Sequence, residues 1–459
     1  MKRISLTVIA LLFVCTGAFA QGIGKAELKA IRGSFVKDEA TLAAQKALMN
    51  TTDIDGLARD KDYKNRVNHT FNNVVTPLKS APSQYASGRC WLFTSLNYTR
   101  HLAIEKYNVD DFRWSHIFCS FWDLFEKCNQ RLEYVIAAAG KPVDDRENEF
   151  YLRAIRDGGE WNGFVNIARK YGVVPESVMP ETINSNNTER MHEYMNIRLR
   201  KAIMEIREKA SSGSDIAQLR SVKMDALKDI YRILALCLGE PPVEFTWNYT
   251  DRDGERHSIT TTPKEFAAET IPAEFIDSRV MLVNDPSHEY YKVYRLDGLS
   301  NCIEGIHWTY LNLPPEELKS ASLAAIRNNE AVYVCCDWTK ERITGENYMD
   351  LNNYRLDELF GMDFDMTKEA MIKTRYSTAA HVMLVDACQT DANGKTERWR
   401  LFNSSFRTGC GVNLFFTDEW FDAYVHRVVT ARKYLSDKAQ AAMDQEPVIL
   451  PLYIFDYMK

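Results

Sequence analysis

The sequence lacks an excess of positive charge. Lysine and arginine number 57, aspartate and glutamate number 63, and the formal net charge at pH 7 is −6. Proteins that bind nucleic acids contact the phosphate backbone through clustered basic side chains, so this balance argues against that class. We therefore expect no nucleic-acid partner.

The sequence also lacks internal repeats, low-complexity tracts and heptad arrays, and glycine and proline account for only 21 and 14 of its 459 residues. Hydrophobic residues make up 45% of the chain and charged residues 26%. This composition excludes a mostly disordered or collagen-like chain and predicts a large buried core. The length predicts two or three domains, or one large domain with insertions.

Long hydrophobic runs are absent after the first twenty residues. Those twenty, MKRISLTVIALLFVCTGAFA, place two basic residues before an apolar run that ends in Ala-Phe-Ala. The run is too short for a membrane-spanning helix, and the pattern predicts a signal peptide at 1–20. Cys15 offers a lipoprotein alternative, but Val14 is a poor small residue before it. We expect an exported chain that begins at Gln21 and has no membrane anchor.

Metal-binding cysteine patterns are absent too. None of the ten cysteines shows the C-x-x-C spacing of a zinc site, and we predict neither a metal nor another cofactor. His116 and Cys119 lie one helical turn apart, which is weak support for a metal site. The adjacent Cys335 and Cys336 can pair only with strain. An odd number of cysteines remains after export, which indicates at least one thiol with a role other than bridging. Most others are interpreted as buried structural residues: Cys119, Cys128, Cys237, Cys302, Cys388 and Cys410.

Periodicity divides the chain into a helical first half and a β-rich second half. Residues 21–80 are polar and predict a surface segment. Apolar residues at helical spacing predict buried helices over 90–107 and 112–140, and amphipathic helices over 190–236 that break at 211–214. From residue 280, short β-rich runs alternate with turn residues, and the predicted fold class is α+β. The runs are VMLVND, YKVYRL, AVYVCCDW, HVMLVDAC, RWRLFNSS and VNLFFT.

The first candidate for chemistry is Cys90, which follows the turn QYASGR at 84–89 and opens an apolar helix. A helix N-terminus offers unpaired N–H groups and the positive end of the helix dipole, and both lower a thiol pKa. Arg89 adds a cation whose direction the sequence does not define. The Cys90 N–H and the Gln84 amide are candidate oxyanion donors. Taken alone, the segment is equally consistent with an ordinary buried cysteine.

A thiolate nucleophile needs a histidine for proton transfer and a third group that orients the imidazole. His381 opens the run HVMLVD, and a second run, WRLF, ends at Asn403. A hairpin between these runs would place the two side chains together, with the Asn403 oxygen fixing the tautomer of the ring. His381 alone is more simply interpreted as a strand histidine, and the combination with Cys90 and Gln84 favours catalysis.

The chain order Gln84, Cys90, His381, Asn403 resembles the papain superfamily, and the flanking sequence resembles the bleomycin hydrolase or aminopeptidase C family. The resemblance implies a papain-like fold, with a helical left part that carries the cysteine and a β-rich right part that carries the histidine. The stretches that carry it include SGRCWLFTSLN at 87–97, FWDLFEKCN at 121–129, GGEWNGFVNIARKYGVVPESVMPET at 158–182, YRILALCLGEPPVEFTWNY at 231–249 and HVMLVDA at 381–387.

The resemblance also implies roles and domain boundaries. Cys90 would be the nucleophile, His381 the acid and base, Asn403 the orienting group and Gln84 the oxyanion donor of a cysteine-type aminopeptidase. The peptidase domain would span 21–445. Within it, a helical insertion would occupy about 185–275, and an arm would follow at 446–459.

The C-terminal sequence QEPVILPLYIFDYMK resembles the arm that in this family reaches back into the active-site cleft. A terminal carboxylate there would counter the α-ammonium group of a substrate, while the arm blocks the cleft beyond it. Met458 and Lys459 are the implied substrate contacts. Lys459 would repel an α-ammonium if it points inward, and self-trimming would leave Met458 as the end. Simple docking of 448–457 as a terminal strand is the alternative.

One departure from the family pattern concerns the segment after the orienting asparagine. The family usually reads Asn-Ser-Trp-Gly, and this chain reads Asn403-Ser404-Ser405-Phe406. The tryptophan that would shield the hydrogen bond between histidine and asparagine is missing from its place. We interpret the chain as a divergent active enzyme, since all four chemical groups remain. A non-catalytic peptide-binding protein and an endopeptidase with an open groove are the alternatives.

The resemblance implies peptide substrates and a homo-oligomer, a hexamer in this family, with contacts through the helices near 190–236. The family is mainly cytosolic. The export signal therefore predicts a periplasmic or secreted bacterial form that acts on scavenged peptides.

Overall fold

The structure is a computed structural model that describes residues 22–343, 345–404 and 412–454. The signal peptide predicted at 1–20 lies outside these residues, as do residues 455–459 of the predicted arm. Within the described ranges, no helix is long and apolar enough to cross a membrane.

Contacts divide the chain into two units. The first comprises the described part of residues 1–59 together with 356–361, and the second comprises the described parts of 60–355 and 362–459. All predicted catalytic residues belong to the second unit.

Helices occupy most of the first half of the chain, and they include those that apolar periodicity predicts over 90–107, 112–140 and 190–236. They are α1 (Lys25–Gly33), α2 (Glu39–Asn50), α3 (Ile54–Ala58), α4 (Tyr63–Arg66), α5 (Cys90–Lys106), α6 (His116–Ala137), α7 (Arg146–Leu152), α8 (Trp161–Tyr171), α9 (Ile183–Asn186), α10 (Glu189–Ser211), α11 (Ile216–Leu238), α12 (Pro263–Thr270), α13 (Ala273–Asp277), α14 (Pro315–Arg327), α15 (Leu356–Phe360), α16 (Lys368–Lys373), α17 (Asp418–Tyr424) and α18 (Asp437–Ala442).

Strands dominate the second half. They are β1 (Asn73–Val74), β2 (Phe245–Thr250), β3 (Arg256–Thr261), β4 (Arg279–Val283), β5 (Lys292–Leu296), β6 (Trp308–Asn312), β7 (Val332–Cys336), β8 (Tyr348–Met349), β9 (His381–Thr390), β10 (Thr396–Phe402), β11 (Asn413–Thr417), β12 (Val425–Ala431) and β13 (Val448–Leu450).

Eleven of these strands form one sheet. Ten follow the order β13-β5-β6-β4-β12-β7-β9-β10-β11-β8, and the eleventh, β1, pairs with β9. Each β-rich run predicted from the sequence lies on one of these strands. Other strands carry no predicted run, and among them is β12, where His426 and Arg427 interrupt the hydrophobic pattern.

Helix α5 is enclosed by protein, and this fixes where Cys90 lies. Residues 91–100 are all buried, and they include the polar side chains of Thr94, Ser95 and Arg100, so protein encloses the helix on every side. The helix packs against α6, α8 and β9. Thr94 Oγ1 donates to the carbonyl of Val382 across 3.0 Å, so the first turn of α5 lies against the start of β9.

Helices α10 and α11 form the antiparallel pair that the amphipathic pattern over 190–236 predicts. The side chain of Asp215 caps α11 by accepting from the backbone N–H of Gln218. The pair packs onto α6 through a cluster that includes Leu132, Leu199 and Leu227. The region 185–275 also contains a two-stranded antiparallel sheet, β2 with β3.

Candidate active site

Cys90 is the first residue of α5, so its thiol lies among backbone N–H groups at the helix N-terminus. The backbone groups of Val382, Trp91 and Cys90 itself lower the pKa of the thiol, but burial outweighs them and raises the pKa to about 11. The sequence predicted a lowered pKa. That prediction is wrong for the isolated group, because desolvation of the thiolate exceeds the stabilisation that the helix terminus supplies.

His381 and Asn403 lie side by side because β9 and β10 pair as an antiparallel hairpin, with Phe402 opposite Leu384. The His381 Nε2 atom lies 2.9 Å from Asn403 Oδ1. An amide oxygen only accepts, so Nε2 is the donor and Nδ1 is the nitrogen available for a proton from the thiol. Both side chains are buried, at 5% and 0% exposure.

The surroundings of the imidazole also shift its pKa. Burial lowers the pKa of His381 to about 4, although the hydrogen bond to Asn403 raises it. With the thiol at about 11, each group considered alone is neutral at pH 7. Proton transfer from thiol to imidazole creates two opposite charges, and their attraction offsets the burial of each.

Gln84 is buried and held at both ends of its amide. Its Oε1 accepts from Ser404 Oγ at 3.1 Å, and its Nε2 donates to the carbonyl of Ser87 at 2.8 Å. An amide nitrogen carries two hydrogens, so one remains for a substrate oxygen. The next residue, Tyr85, has φ of +46°, an uncommon conformation for a bulky side chain that places local backbone strain in the loop before Cys90.

Arg89 does not serve as a free cation beside the thiol. Its guanidinium is 1% exposed and contacts both carboxylate oxygens of Glu181, at 3.2 and 2.8 Å. It also donates to the carbonyl of Ser185 at 2.8 Å. The ion pair anchors the turn before Cys90, so Arg89 contributes position and its charge is compensated.

Asp157, which was not predicted from the sequence, is a buried carboxylate that holds the same turn. Asp157 Oδ2 accepts from the backbone N–H of Gly88 at 3.0 Å and from Thr188 Oγ1 at 2.6 Å. Its Oδ1 lies 2.9 Å from His192 Nε2. Burial raises the pKa of Asp157, but these contacts lower it to about 2. Asp157 follows a short loop, and no local motif marks it.

A second missed pair is Glu160 with Arg427. Glu160 directly precedes α8, Arg427 lies on β12, and the two form a buried ion pair. The guanidinium also lies 4.9 Å from the centroid of the Trp308 ring. The negative charge of Glu160 raises the pKa of the Cys90 thiol. The arginine within the apolar pattern of β12 is the one signal for this pair in the sequence.

The described part of the arm continues the sheet and then leaves it. Strand β13 pairs in parallel with β5, and a short 3-10 turn follows at Leu452–Ile454. Leu452 and Ile454 pack against the core that contains Trp91. The predicted substrate contacts Met458 and Lys459 lie outside the described residues.

Residues 22–458 match the Peptidase C1-like family. The chain belongs to this family. It is 32% identical to bleomycin hydrolase of Homo sapiens over 447 residues, which cover 95% of this chain and 98% of the relative. It is 33% identical to aminopeptidase E of Lactobacillus helveticus, with 86% of this chain and 91% of the relative covered.

The fold of the chain is also similar to a solved structure. The crystal structure of PepW from Lactobacillus rhamnosis superimposes with a TM-score of 0.89 at 30% identity, covering 95% of this chain and 98% of that one. These findings confirm the papain-like α+β fold and the predicted resemblance. The chain is a cysteine-type peptidase, as the sequence predicted.

Proposed function

We propose that the chain is an exported thiol aminopeptidase that hydrolyses the first peptide bond of peptides through a Cys-His-Asn site. The observation that carries the proposal is the 2.9 Å contact between His381 Nε2 and Asn403 Oδ1, beside a thiol that meets the backbone of Val382, the residue after His381. Relatives named as aminopeptidases support the specificity for N-terminal bonds.

In the acylation step, Cys90 passes its proton to His381 and Sγ attacks the carbonyl carbon of the first peptide bond. The carbonyl electron pair moves to oxygen, which accepts hydrogen bonds from the Cys90 backbone N–H and the Gln84 amide. The imidazolium returns the proton to the leaving nitrogen as the C–N bond breaks. The shortened peptide leaves with a new amino terminus, and the first residue remains as a thioester.

In the deacylation step, His381 accepts a proton from a water molecule, whose oxygen attacks the thioester carbon. The C–S bond then breaks, the thiolate regains the proton, and a free amino acid leaves. Asn403 keeps the ring in one tautomer and orientation through both steps.

The arm is the proposed determinant of N-terminal specificity. Its described part passes Gly298, where an added side chain would meet Leu452 at 3.3 Å. The Leu299 carbonyl, one residue further on, accepts from Asn162 Nδ2 near the start of α8. Residues 455–459 would continue from there, with Met458 or Lys459 presenting the terminal carboxylate to the substrate ammonium.

Assembly and export complete the proposal. Apolar side chains on α10 and α11 are exposed, including Tyr194 at 53%, Met204 at 60% and Met224 at 49%. These supply a surface for a homo-oligomer, proposed as a hexamer from the family resemblance. Light scattering of the wild type beside Met204→Glu tests the assembly, and a first residue of Gln21 in the secreted protein tests export.

Turnover of aminoacyl fluorogenic amides under reducing conditions tests the catalytic proposal. We expect turnover by the wild type and its loss in Cys90→Ala and His381→Ala, with unchanged melting temperatures. Folded wild-type protein that turns over none of the amides would favour the alternative of a peptide-binding homologue.

A further inference from the structure

Trp338 packs against the ring of His381 and takes no part in the proposed acylation and deacylation steps. The two ring centroids lie 4.9 Å apart with an interplanar angle of 40°. Trp338 follows β7, in which Cys336 pairs directly with His381 of β9. The strand register therefore brings the indole to the imidazole.

Backbone contacts fix the segment that carries Trp338. Asp337 Oδ2 accepts from the backbone N–H of Thr378 at 3.1 Å, and the Asp337 N–H donates to the carbonyl of Tyr424 at 3.0 Å. The indole is half-buried and contacts the core on one side of the sheet. Contacts from the loop before β9 and from the end of α17 thus hold the segment that carries the indole beside the imidazole.

The same indole carries a cation. The guanidinium of Arg342 lies 4.3 Å from the centroid of the Trp338 ring. The charge of Arg342 lowers the pKa of His381, in the same direction as burial. The backbone of Arg342 is fixed by a bridge to Met349. Indole and guanidinium together form a stacked pair next to the catalytic imidazole.

We propose that Trp338 is a positioning residue that covers the His381 ring and keeps water from its hydrogen bond to Asn403. This rests on the proposed function. This chain has Ser405 two residues after Asn403, where the family resemblance implies a tryptophan. The indole that covers the His381 ring in this chain comes from the loop after β7, whereas Asn403 directly follows β10.

The physical effect of such a cover is on the alignment of the ring. Water that reaches Nε2 competes with Asn403 Oδ1, and a hydrogen bond is electrostatically weaker in a wet site than in a dry one. A ring that rotates away from its tautomer-fixing partner spends less time aligned with the thiol. The loss should appear in kcat, while KM changes little.

The test compares Trp338→Ala, Trp338→Leu and Trp338→Phe with Trp122→Phe. Trp122 of α6 is also half-buried, and its ring stacks on the Tyr171 ring with a centroid distance of 3.9 Å. We expect Ala and Leu to lower kcat about tenfold with KM within about twofold, and Phe to restore most of the loss. Trp122→Phe should leave kcat unchanged. Melting temperatures identify any variant that fails to fold. If Trp338→Ala does not fold, the comparison of kcat between Trp338→Phe and Trp338→Leu tests the inference, since both variants keep an apolar side chain at this position.

A double-mutant cycle separates covering from packing. If Trp338 acts through the bond to Asn403, then Trp338→Leu should lower kcat by less than about twofold in an Asn403→Ala background. Equal losses in both backgrounds would overturn the inference. If Cys90→Ala or His381→Ala left turnover intact, the proposed function itself would fail, and that outcome is separate from an effect of Trp338.

Arg342 supplies a second readout. The charge of Arg342, from the loop after β7, acts on His381, and the charge of Glu160, before α8, acts on the Cys90 thiol. Asp337 directly precedes Trp338. Removing the Arg342 charge should raise the pKa of His381, so Arg342→Gln should move the acid limb of Cys90 alkylation to higher pH. Arg342→Lys should leave the limb in place. An unmoved limb in Arg342→Gln would contradict the electrostatic part of the inference.

Discussion

Ser404 joins Gln84, the proposed oxyanion donor, to the histidine side of the site by two hydrogen bonds. The Ser404 hydroxyl donates to Gln84 Oε1 at 3.1 Å, and the Ser404 carbonyl accepts from the Gln84 backbone N–H at 2.8 Å. Gln84 lies in the loop before Cys90, and Ser404 directly follows Asn403. The serine therefore links Gln84, the proposed oxyanion donor, to Asn403, the residue proposed to orient His381.

Replacing Ser404 with alanine tests this link. The variant keeps the backbone bond but frees one end of the Gln84 amide, so we expect kcat to fall about threefold to tenfold with KM nearly unchanged. Ser404→Thr keeps the hydroxyl and serves as the matched control. Steady-state kinetics of both variants, at equal melting temperature, decide the point. An alanine variant with wild-type kcat would show that Ser87 alone orients the amide.

The pH dependence of Cys90 reactivity tests the ion pair. Independent groups with pKa values of about 11 and about 4 would give alkylation that rises only above neutral pH. A thiolate and imidazolium that stabilise each other give a plateau across neutral pH, because proton transfer within the pair does not depend on pH. We expect the plateau in the wild type and its loss in His381→Ala. Initial rates of iodoacetamide labelling, read by intact mass, make the comparison.

Asp157 predicts an acid-sensitive contribution to stability. Its pKa is lowered to about 2 from 3.8, so the folded state is favoured while the carboxylate is charged. The contribution is fully present above about pH 4 and is lost as the pH falls through about 2, and it amounts to about 2 kcal/mol.

Asp157→Asn has no carboxyl group at this position, so its stability lacks this dependence on pH. Urea denaturation at several pH values should show the wild type more stable than the variant at about pH 5, with the gap closing by about 2 kcal/mol near pH 2. A gap that stays constant with pH would mean that Asp157 does not hold its charge through the contacts with Gly88 and His192.

The ion pair of Glu160 and Arg427 predicts opposite effects on stability and reactivity. Glu160→Gln removes the negative charge that compensates a buried guanidinium and should cost about 3–5 kcal/mol in the free energy of unfolding. The same change removes a negative charge that raises the pKa of Cys90, so labelling of the thiol at neutral pH should be faster. The double variant Glu160→Gln with Arg427→Met should recover much of the stability. No recovery in the double variant would argue that the pair is not coupled.

Much of the site follows from local sequence pattern. Apolar runs with clear ends mark the helix that begins at Cys90 and the two strands whose ends lie near His381 and Asn403. Pairing of these two strands as a hairpin then places the imidazole beside the amide. What could not be predicted depends on contacts between distant segments. Asp157 and Glu160 act on the Cys90 turn from another part of the chain, and Trp338 reaches His381 only through the register of β7 with β9.

The pKa of Cys90 illustrates the same limit. A helix N-terminus is readable from sequence and lowers a thiol pKa, whereas the burial that raises it depends on how α5 packs against β9. Arg89 is a similar case, because its partner Glu181 lies far along the chain.

The most direct test of the central claim is hydrolysis of a matched pair of substrates, an aminoacyl fluorogenic amide and its N-acetylated form, by the chain from Gln21. We expect the wild type to cleave only the free-amine form and Cys90→Ala to cleave neither. We also expect a chain ending at Ile454 to gain cleavage of the N-acetylated form, since residues 455–459 are removed. Equal cleavage of both forms by the full chain would contradict an aminopeptidase and indicate an open-groove endopeptidase.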